Sequence, residues 1–225
     1  MMKFFYCFLF AGLVITGCNN NASVEDETGT DTLSTNDTVA VNEKQQEVSD
    51  EFLLDNLLAY NSEEELIAAF GKENIITEHR WGAEGEYEYK ASILYPETKN
   101  QVEFAWEDSV SLSGLSSICI YIFKETPDWY TSYGIKIGTT MKELEEMNGK
   151  PFRFWGFDWD YSGGAFFEEG NLANLNMHIC LNTPPGAPEK EAGEMIGDME
   201  FTSDDAIAKK VNPIVVEITM VKPQN

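Results

Sequence analysis

Histidine and basic residues are scarce in this chain of 225 residues. Its 2 histidines, His79 and His178, exclude any site that needs three imidazole groups. Only 15 lysines and arginines stand against 39 acidic residues, which gives a net charge of −24. A surface with this charge repels phosphate backbones, so the composition argues against nucleic-acid binding. It also argues against a basic helix lying on a membrane surface.

The sequence motifs of several common enzyme classes are missing as well. The chain has no P-loop, no Gly-x-Gly-x-x-Gly fingerprint and no Gly-x-Ser-x-Gly nucleophile elbow. Neighbouring carboxylates such as Glu86 and Glu88 occur, but a chain with 39 acids contains such pairs in any case. We therefore predict a protein without catalytic activity. A hydrolase that uses two carboxylates is the enzymatic alternative.

The longest apolar run lies at the N-terminus, where Phe4 to Ile15 follow a short start that contains Lys3. A basic start and an apolar run of this length are typical of a signal peptide, here residues 1–17. The run is too short to span a bilayer comfortably as a permanent helix. The composition of the whole chain, 43% hydrophobic and 12% aromatic, is that of a folded globular protein.

The apolar run ends in Ile15, Thr16, Gly17 and Cys18. An aliphatic residue and two small residues before a cysteine resemble the lipobox of bacterial lipoproteins. The resemblance implies cleavage before Cys18 and anchoring of the mature chain in membrane lipid through acylation of that residue. Asn19, where an aspartate would favour the inner membrane, favours the outer membrane. An ordinary secretory signal that happens to contain Cys18 is the alternative.

Residues 18–50 contain no aromatic residue and are rich in acids, Asn, Thr and Ser. Such a segment cannot bury enough apolar surface to offset the entropy lost on ordering. We therefore predict an acidic, flexible tether between the lipid and a globular part.

An internal repeat is indicated within the globular part, because Ser62 aligns with Thr140 at an offset of 78 residues. Both residues begin a sequence typical of a short helix with a capping box, and both helices end at a glycine, Gly71 or Gly149. The same offset aligns Trp81 with Trp159. Period-two alternation follows each helix and predicts antiparallel strands. The expected fold class is therefore α+β, with two tandem repeats at 51–137 and 138–225, each a short helix followed by an antiparallel β-meander.

A weak family resemblance accompanies the second repeat. Gly138 to Leu144, closed by Asn148 to Pro151 and followed by an aromatic strand, resemble the opening of small envelope modules. These modules are the SmpA/OmlA (BamE-type) lipoproteins and the repeats of β-lactamase inhibitor protein. The first repeat departs from the motif, since Gly71 is followed by Lys72-Glu73-Asn74 where Gly149 is followed by Lys150-Pro151. The resemblance implies a binding or scaffolding module with no catalytic residues.

One group of acidic and hydroxyl residues in the second repeat has two interpretations. Asp158, Asp160, Ser162 and Glu169 have the spacing of an EF-hand calcium loop, but their flanks alternate like strands, so we predict a solvated hairpin face and keep a calcium site as the alternative. We therefore predict no cofactor, and calcium is the one that the alternative interpretation would require.

Two cysteines, Cys119 and Cys180, remain outside the signal peptide and the lipobox. The envelope permits disulfides, and an even number of thiols allows a bond between them. Two separate buried thiols are the alternative.

Tryptophan and tyrosine are the best candidates for binding residues, because both dominate the energetics of protein interfaces. Packing in the core is the alternative for each of them. Trp129 and Tyr130, beside Pro127, are the first candidates for exposure. The candidate protein-binding residues are Trp81, Trp129, Tyr130, Tyr133, Trp155 and Trp159.

These observations predict a lipid-anchored, non-catalytic protein of the cell envelope that binds another envelope protein as a scaffold or inhibitor. Because Trp and Tyr also stack on sugar rings, glycan binding or calcium-assisted carbohydrate binding at the surface is the alternative function.

Overall fold

A computed structural model of the chain describes residues 50–82 and 87–223. The predicted signal peptide, Cys18 and almost all of the predicted tether lie outside these residues. The described residues all belong to one compact unit. They contain no helix that combines the length and the apolarity needed to cross a membrane.

An antiparallel six-stranded sheet is the largest element of the fold, with the strand order β1-β2-β3-β4-β9-β7. Its first four strands form a meander in which each strand pairs with the next. The six strands are β1 (Ile75–Gly82), β2 (Tyr87–Leu94), β3 (Val102–Asp108), β4 (Ser113–Tyr121), β7 (Met177–Asn182) and β9 (Ile214–Val221).

A second, three-stranded sheet has the order β6-β5-β8, and the described part of the chain also contains four short α-helices. The strands are β5 (Arg153–Trp155), β6 (Ala165–Phe166) and β8 (Glu200–Thr202). The helices are α1 (Glu63–Phe70), α2 (Met141–Asn148), α3 (Glu189–Glu194) and α4 (Ala206–Val211). Short 3-10 helices span Asp50–Phe52, Leu54–Ala59 and Lys72–Asn74. The α+β class is thus confirmed.

The predicted pair of equivalent repeats is not found in the described residues. Helix α1 is followed by the β1–β4 meander, as expected, but α2 is followed by β5, whose partners β6 and β8 form the smaller sheet. Strands β7 and β9 instead extend the main sheet beside β4. Alternation shows which residues share a face of a strand, but it does not show which strands lie side by side.

The helix caps explain why the two aligned segments form helices. Thr140 and Glu143 form the complete capping box, in which each side chain accepts a hydrogen bond from the other residue's backbone N–H. At α1, Ser62 Oγ accepts from the N–H of Glu65, but Glu65 accepts from the N–H of Asn61 at 2.6 Å. Gly149 ends α2 in the left-handed region, with φ 73°.

One face of the main sheet packs against the helices and forms the core. Phe104, Ile118 and Ile218 on the sheet lie in one buried cluster with Leu66 of α1 and Leu144 of α2. Tight packing of this kind is the main source of stability for such short helices.

The other face of the main sheet is polar. Its most buried acid is Glu103, which is 2% exposed. Arg80 Nε donates to Glu103 Oε2 at 2.9 Å, and the hydroxyl of Tyr89 donates to Glu103 Oε1 at 3.3 Å. Burial and the nearby Glu103 raise the pKa of Tyr89 well above its ordinary value, and they raise the pKa of Tyr121 to about 12.

Of the two alternatives for the cysteines, the structure has two separate buried thiols, because Cys119 and Cys180 are not bonded to each other. Cys119 lies on β4 and Cys180 on β7, with β9 between them. Neighbouring strands are about 4.8 Å apart, so strands separated by a third lie about 10 Å apart, beyond the reach of a disulfide. Both side chains are buried, and burial raises the pKa of the Cys119 thiol well above its ordinary value.

Contact between the two sheets depends on a glycine. The N–H of Leu181 on β7 donates to the carbonyl of Gly163 at 2.8 Å. Gly163 has φ +69°, and a Cβ atom at this position would lie 1.8 Å from the carbonyl oxygen of Leu181. Only a residue without a side chain fits so close to another backbone.

Candidate functional site

Four aromatic side chains gather on the outer side of the smaller sheet and form what we call the aromatic cluster: Trp155, Trp159, Tyr161 and Phe166. The ring centroids of Trp155 and Trp159 are 5.5 Å apart, and those of Trp159 and Tyr161 are 5.2 Å apart. The ring of Phe166 lies 5.9 Å from that of Trp155. All three pairs are edge-to-face, which is a favourable geometry for aromatic rings.

The cluster is open to solvent. Tyr161 is 45% exposed and Phe166 is 40% exposed, while Trp155 and Trp159 are half-buried. A group of exposed apolar side chains is more informative than any single one.

Alternation along β5 places these side chains outward. Phe154, which is fully buried, points into the core, so its neighbours Arg153 and Trp155 lie on the outer face. The antiparallel register then sets Phe166 opposite Arg153. The pairing of β5 with β6 therefore brings Trp155 and Phe166 to one face, and the turn between these strands supplies Trp159 and Tyr161.

Hydrogen bonds fix the turn that carries Trp159 and Tyr161. The indole Nε1–H of Trp159 donates to the carbonyl of Gly156 at 2.9 Å. The N–H of Asp158, whose φ is +62°, donates to Ser162 Oγ at 3.0 Å. The N–H of Ser162 donates in turn to the carbonyl of Trp159. Because the ring of Trp159 is held in place, a ligand does not have to order it.

A charged border lies beside the aromatic cluster. Arg153 Nη1 donates to Glu200 Oε2 at 2.7 Å, and its Nε and Nη2 donate to Glu168. These two carboxylates raise the pKa of Arg153 above its ordinary value. The guanidinium carbon is 5.9 Å from the ring centroid of Phe166, within cation–π distance. The cluster thus has an apolar centre and a charged edge, as protein-binding patches do.

The structure brings together only two of the six predicted binding residues, Trp155 and Trp159. Trp81 is 61% exposed at the end of β1, an edge strand at the opposite side of the main sheet from β7. Tyr133 is 50% exposed in a turn, and Tyr130 is half-buried.

The predicted exposure of Trp129 is wrong, since this residue is only 2% exposed. Its indole donates to the carbonyl of Asn100 at 2.9 Å, and its ring packs edge-to-face on Phe52 at 5.3 Å. The N–H of Tyr130 also donates to the carbonyl of Phe52. The N-terminal 3-10 segment therefore covers a loop that looks exposed when its sequence is considered alone.

The segment with calcium-loop spacing has the hairpin geometry that its alternating flanks predict. Asp158, Asp160 and Ser162 lie in the turn between β5 and β6, with no helix on either side. Glu169 Oε2 lies 2.6 Å from Lys150 Nζ, and this contact lowers the pKa of Glu169. Within 50–82 and 87–223, no group of three or more His, Cys, Asp or Glu residues is placed to hold a metal ion.

Sequence reasoning also missed a second concave surface, which we call the Trp129 groove. It has a volume of about 600 Å³ and lies between the 3-10 helix Leu54–Ala59 and the turn after β2, with Trp129 in its wall. Its aromatic residues come from positions far apart in the sequence, so no local motif marks it. Phe166 of the aromatic cluster is a different case. Neighbouring residues of a strand point to opposite faces, so the assignment of Ala165 and Phe166 to a strand is enough to place Phe166 on the outer face.

Comparison of the chain with protein-family models, curated proteins and solved structures finds no match. The resemblances to lipobox lipoproteins and to BamE-type modules therefore stay predictions.

Proposed function

We propose that this chain is a lipid-anchored, non-catalytic protein of the cell envelope that binds another protein through the aromatic cluster. The observation that carries the proposal is the gathering of four partly exposed aromatic rings on one sheet face, beside a bordering Arg153 paired with two carboxylates. Central aromatic residues surrounded by polar groups are typical of interface hot spots. The lipobox at Cys18 supports the anchor and the envelope location.

The net charge favours a basic partner. A surface with a net charge of −24 attracts positively charged proteins and accelerates their encounter. The absence of the common enzyme motifs from the sequence supports a binding role rather than catalysis. We further infer that the two capped helices derive from one duplicated unit whose second copy has changed its strand pairing.

A pair of matched photocrosslinking variants tests this function. Benzoylphenylalanine replaces Tyr161 in one variant of the full chain and Tyr133 in the other, because both tyrosines are about equally exposed. In native membranes we expect the Tyr161 variant, and not the Tyr133 variant, to crosslink one envelope protein. A Trp159→Ala substitution in the Tyr161 variant should reduce this product at least about tenfold, as expected for a hot spot.

Two results would count against the proposal. Equal crosslinking from both positions would mean that contact with the cluster is not specific. Unchanged crosslinking after Trp159→Ala, with the same melting temperature as the parent, would mean that the aromatic rings do not contribute to binding.

Glycan binding is the second candidate, because tryptophan and tyrosine rings exposed side by side also stack on sugars. Retention of neutral oligosaccharides by the parent and not by the Trp159→Ala variant would favour it. Retention that requires calcium would favour the calcium-assisted form.

A further inference from the structure

The Trp129 groove has apolar walls that are already formed. On one side, the ring of Phe70 lies 5.3 Å from that of Tyr60 and 6.0 Å from that of Tyr95. On the other side, Phe52 packs on Trp129, whose indole is held by Asn100. A concave site of about 600 Å³ is within the size range of ligand pockets.

The polar side chains at the border of the groove bond to other groups of the protein. Lys99 Nζ lies 2.8 Å from Asp128 Oδ1, and Asn100 Nδ2 donates to Asp128 Oδ2 at 2.9 Å. The hydroxyl of Thr98 donates to the carbonyl of Tyr95 at 2.7 Å. Recognition of a sugar requires several hydrogen bonds directed at its hydroxyl groups. A border of this kind instead favours an occupant that binds through apolar contact.

Electrostatics disfavour an anionic occupant such as a fatty acid. Lys99 is the cation at the border, and Asp128 neutralises it. Hydrogen bonds from Lys99 and Asn100 lower the pKa of Asp128, so this carboxylate is charged at neutral pH. Glu51 lines the groove as well, and the whole chain carries a charge of −24. Positive charge next to an apolar group is the complementary pattern.

We propose that the Trp129 groove binds the apolar side chains of a basic peptide segment, presented by a partner protein. An apolar residue of the segment fills the space between the Tyr60 and Trp129 walls, and flanking lysines or arginines lie near Glu51 and the other carboxylates of the surface. This site is separate from the aromatic cluster and does not depend on the function proposed for that cluster.

Titration calorimetry with defined probes tests the proposal on the full chain in nonionic detergent. The probe is a blocked pentapeptide with the order lysine, leucine, phenylalanine, leucine, lysine. Two comparison probes are the same peptide with glutamates in place of the lysines, and the neutral sugar cellotriose. We expect the basic peptide to bind at least about tenfold more tightly than the acidic peptide and cellotriose to show no heat of binding.

A pair of variants on one 3-10 helix locates the binding site. Asn56 is exposed and lines the groove, so Asn56→Trp should fill it and weaken peptide binding at least about tenfold. Ala59 is exposed on the same helix and does not line the groove, so Ala59→Trp should bind like the parent. Thr98→Trp blocks the groove from the facing turn and replaces Asn56→Trp if that variant does not fold. A Trp159→Ala variant, altered in the aromatic cluster, should bind the peptide normally.

Three outcomes would overturn the proposal. Equal binding to a folded Asn56→Trp variant and to the parent would place the peptide elsewhere. Equal binding of the acidic and basic peptides would remove the electrostatic argument. Binding of cellotriose and not of the basic peptide would make the groove a sugar site.

Discussion

At the scale of single residues, the contact between Arg80 and Glu103 has the largest expected energetic effect. Glu103 is 2% exposed on the polar face of the main sheet, where an unpaired carboxylate would be costly. Arg80 and Tyr89 both donate to it, and Arg80 also pairs with Glu78. Removal of one partner from a buried ion pair costs more than the pair itself contributes, because the remaining charge stays buried.

We predict that Arg80→Leu lowers the free energy of unfolding by about 3 kcal/mol, since it leaves Glu103 buried without this guanidinium. Urea unfolding of the full chain measures the change. The double variant Arg80→Leu/Glu103→Leu should recover much of the loss, because it removes the buried charge as well. A double variant that is less stable than Arg80→Leu alone would contradict this explanation.

Individual residues also show how far the candidate site can be predicted. Alternation along β5 is enough to expect Trp155 outside and Phe154 inside. The burial of Trp129 depends on Phe52 and Asn100, which are distant from it in the sequence. No local pattern contains that information.

At the scale of elements, strands with strong alternation were predicted well. The alternating patterns from Tyr87 to Tyr95 and from Val102 to Trp106 correspond to β2 and β3. The run from Ile118 to Phe123, apolar on both faces, predicts a central strand, and β4, which contains most of this run, is central. The pattern after Phe154 predicts a longer strand than the three residues of β5. The strand ends there because Gly156 packs against backbone, with a Cβ position 2.4 Å from the carbonyl oxygen of Gly197, and the chain then turns.

The two helix caps give a prediction at this scale. Thr140→Ala should lower the free energy of unfolding by about 1 kcal/mol, because it removes the hydroxyl that accepts from the N–H of Glu143. Ser62→Ala should cost less, since Ser62 accepts at 3.3 Å and lacks the reciprocal bond that Glu143 gives Thr140. Thermal melts of both variants measure the difference. A larger loss for Ser62→Ala would contradict the ranking.

Acid should weaken the Thr140 cap. Hydrogen bonds from the N–H and hydroxyl of Thr140 lower the pKa of Glu143 in the folded protein. The stabilisation that this carboxylate contributes is therefore complete above its unfolded pKa and is lost as the pH falls through the lowered, folded value. The same melts repeated at decreasing pH follow this loss.

At the scale of the whole molecule, strand pairing is the feature that the sequence leaves undetermined. Along the chain α2, β5 and β6 separate β7 from β4, and α3, β8 and α4 separate β9 from β7, yet both strands join the main sheet. Pairings between distant segments follow from the packing of the entire chain and not from local alternation. The Trp129 groove is hidden from sequence reasoning for the same reason, because its walls come from separate segments between Glu51 and Trp129.

The lipid anchor is a property of the whole chain and has a direct test. Growth of bacteria with an alkyne-labelled palmitate should label the full chain and place it in the membrane fraction. A Cys18→Ala variant should lose the label and a precursor with an intact signal peptide should accumulate, because the thiol is the acceptor that the lipobox resemblance implies. Labelling of the Cys18→Ala variant would exclude this residue as the lipid site.

The approach of Gly163 to Leu181 has a consequence for recognising distant relatives. Because a Cβ atom at position 163 would overlap the Leu181 carbonyl, substitution by any other residue would force the two sheets apart. Sequences that descend from a common ancestor and keep this junction must therefore keep glycine at 163, however much their surfaces diverge. In an alignment of remote homologues, that column marks the fold more dependably than the aromatic residues, which are free to change with the partner.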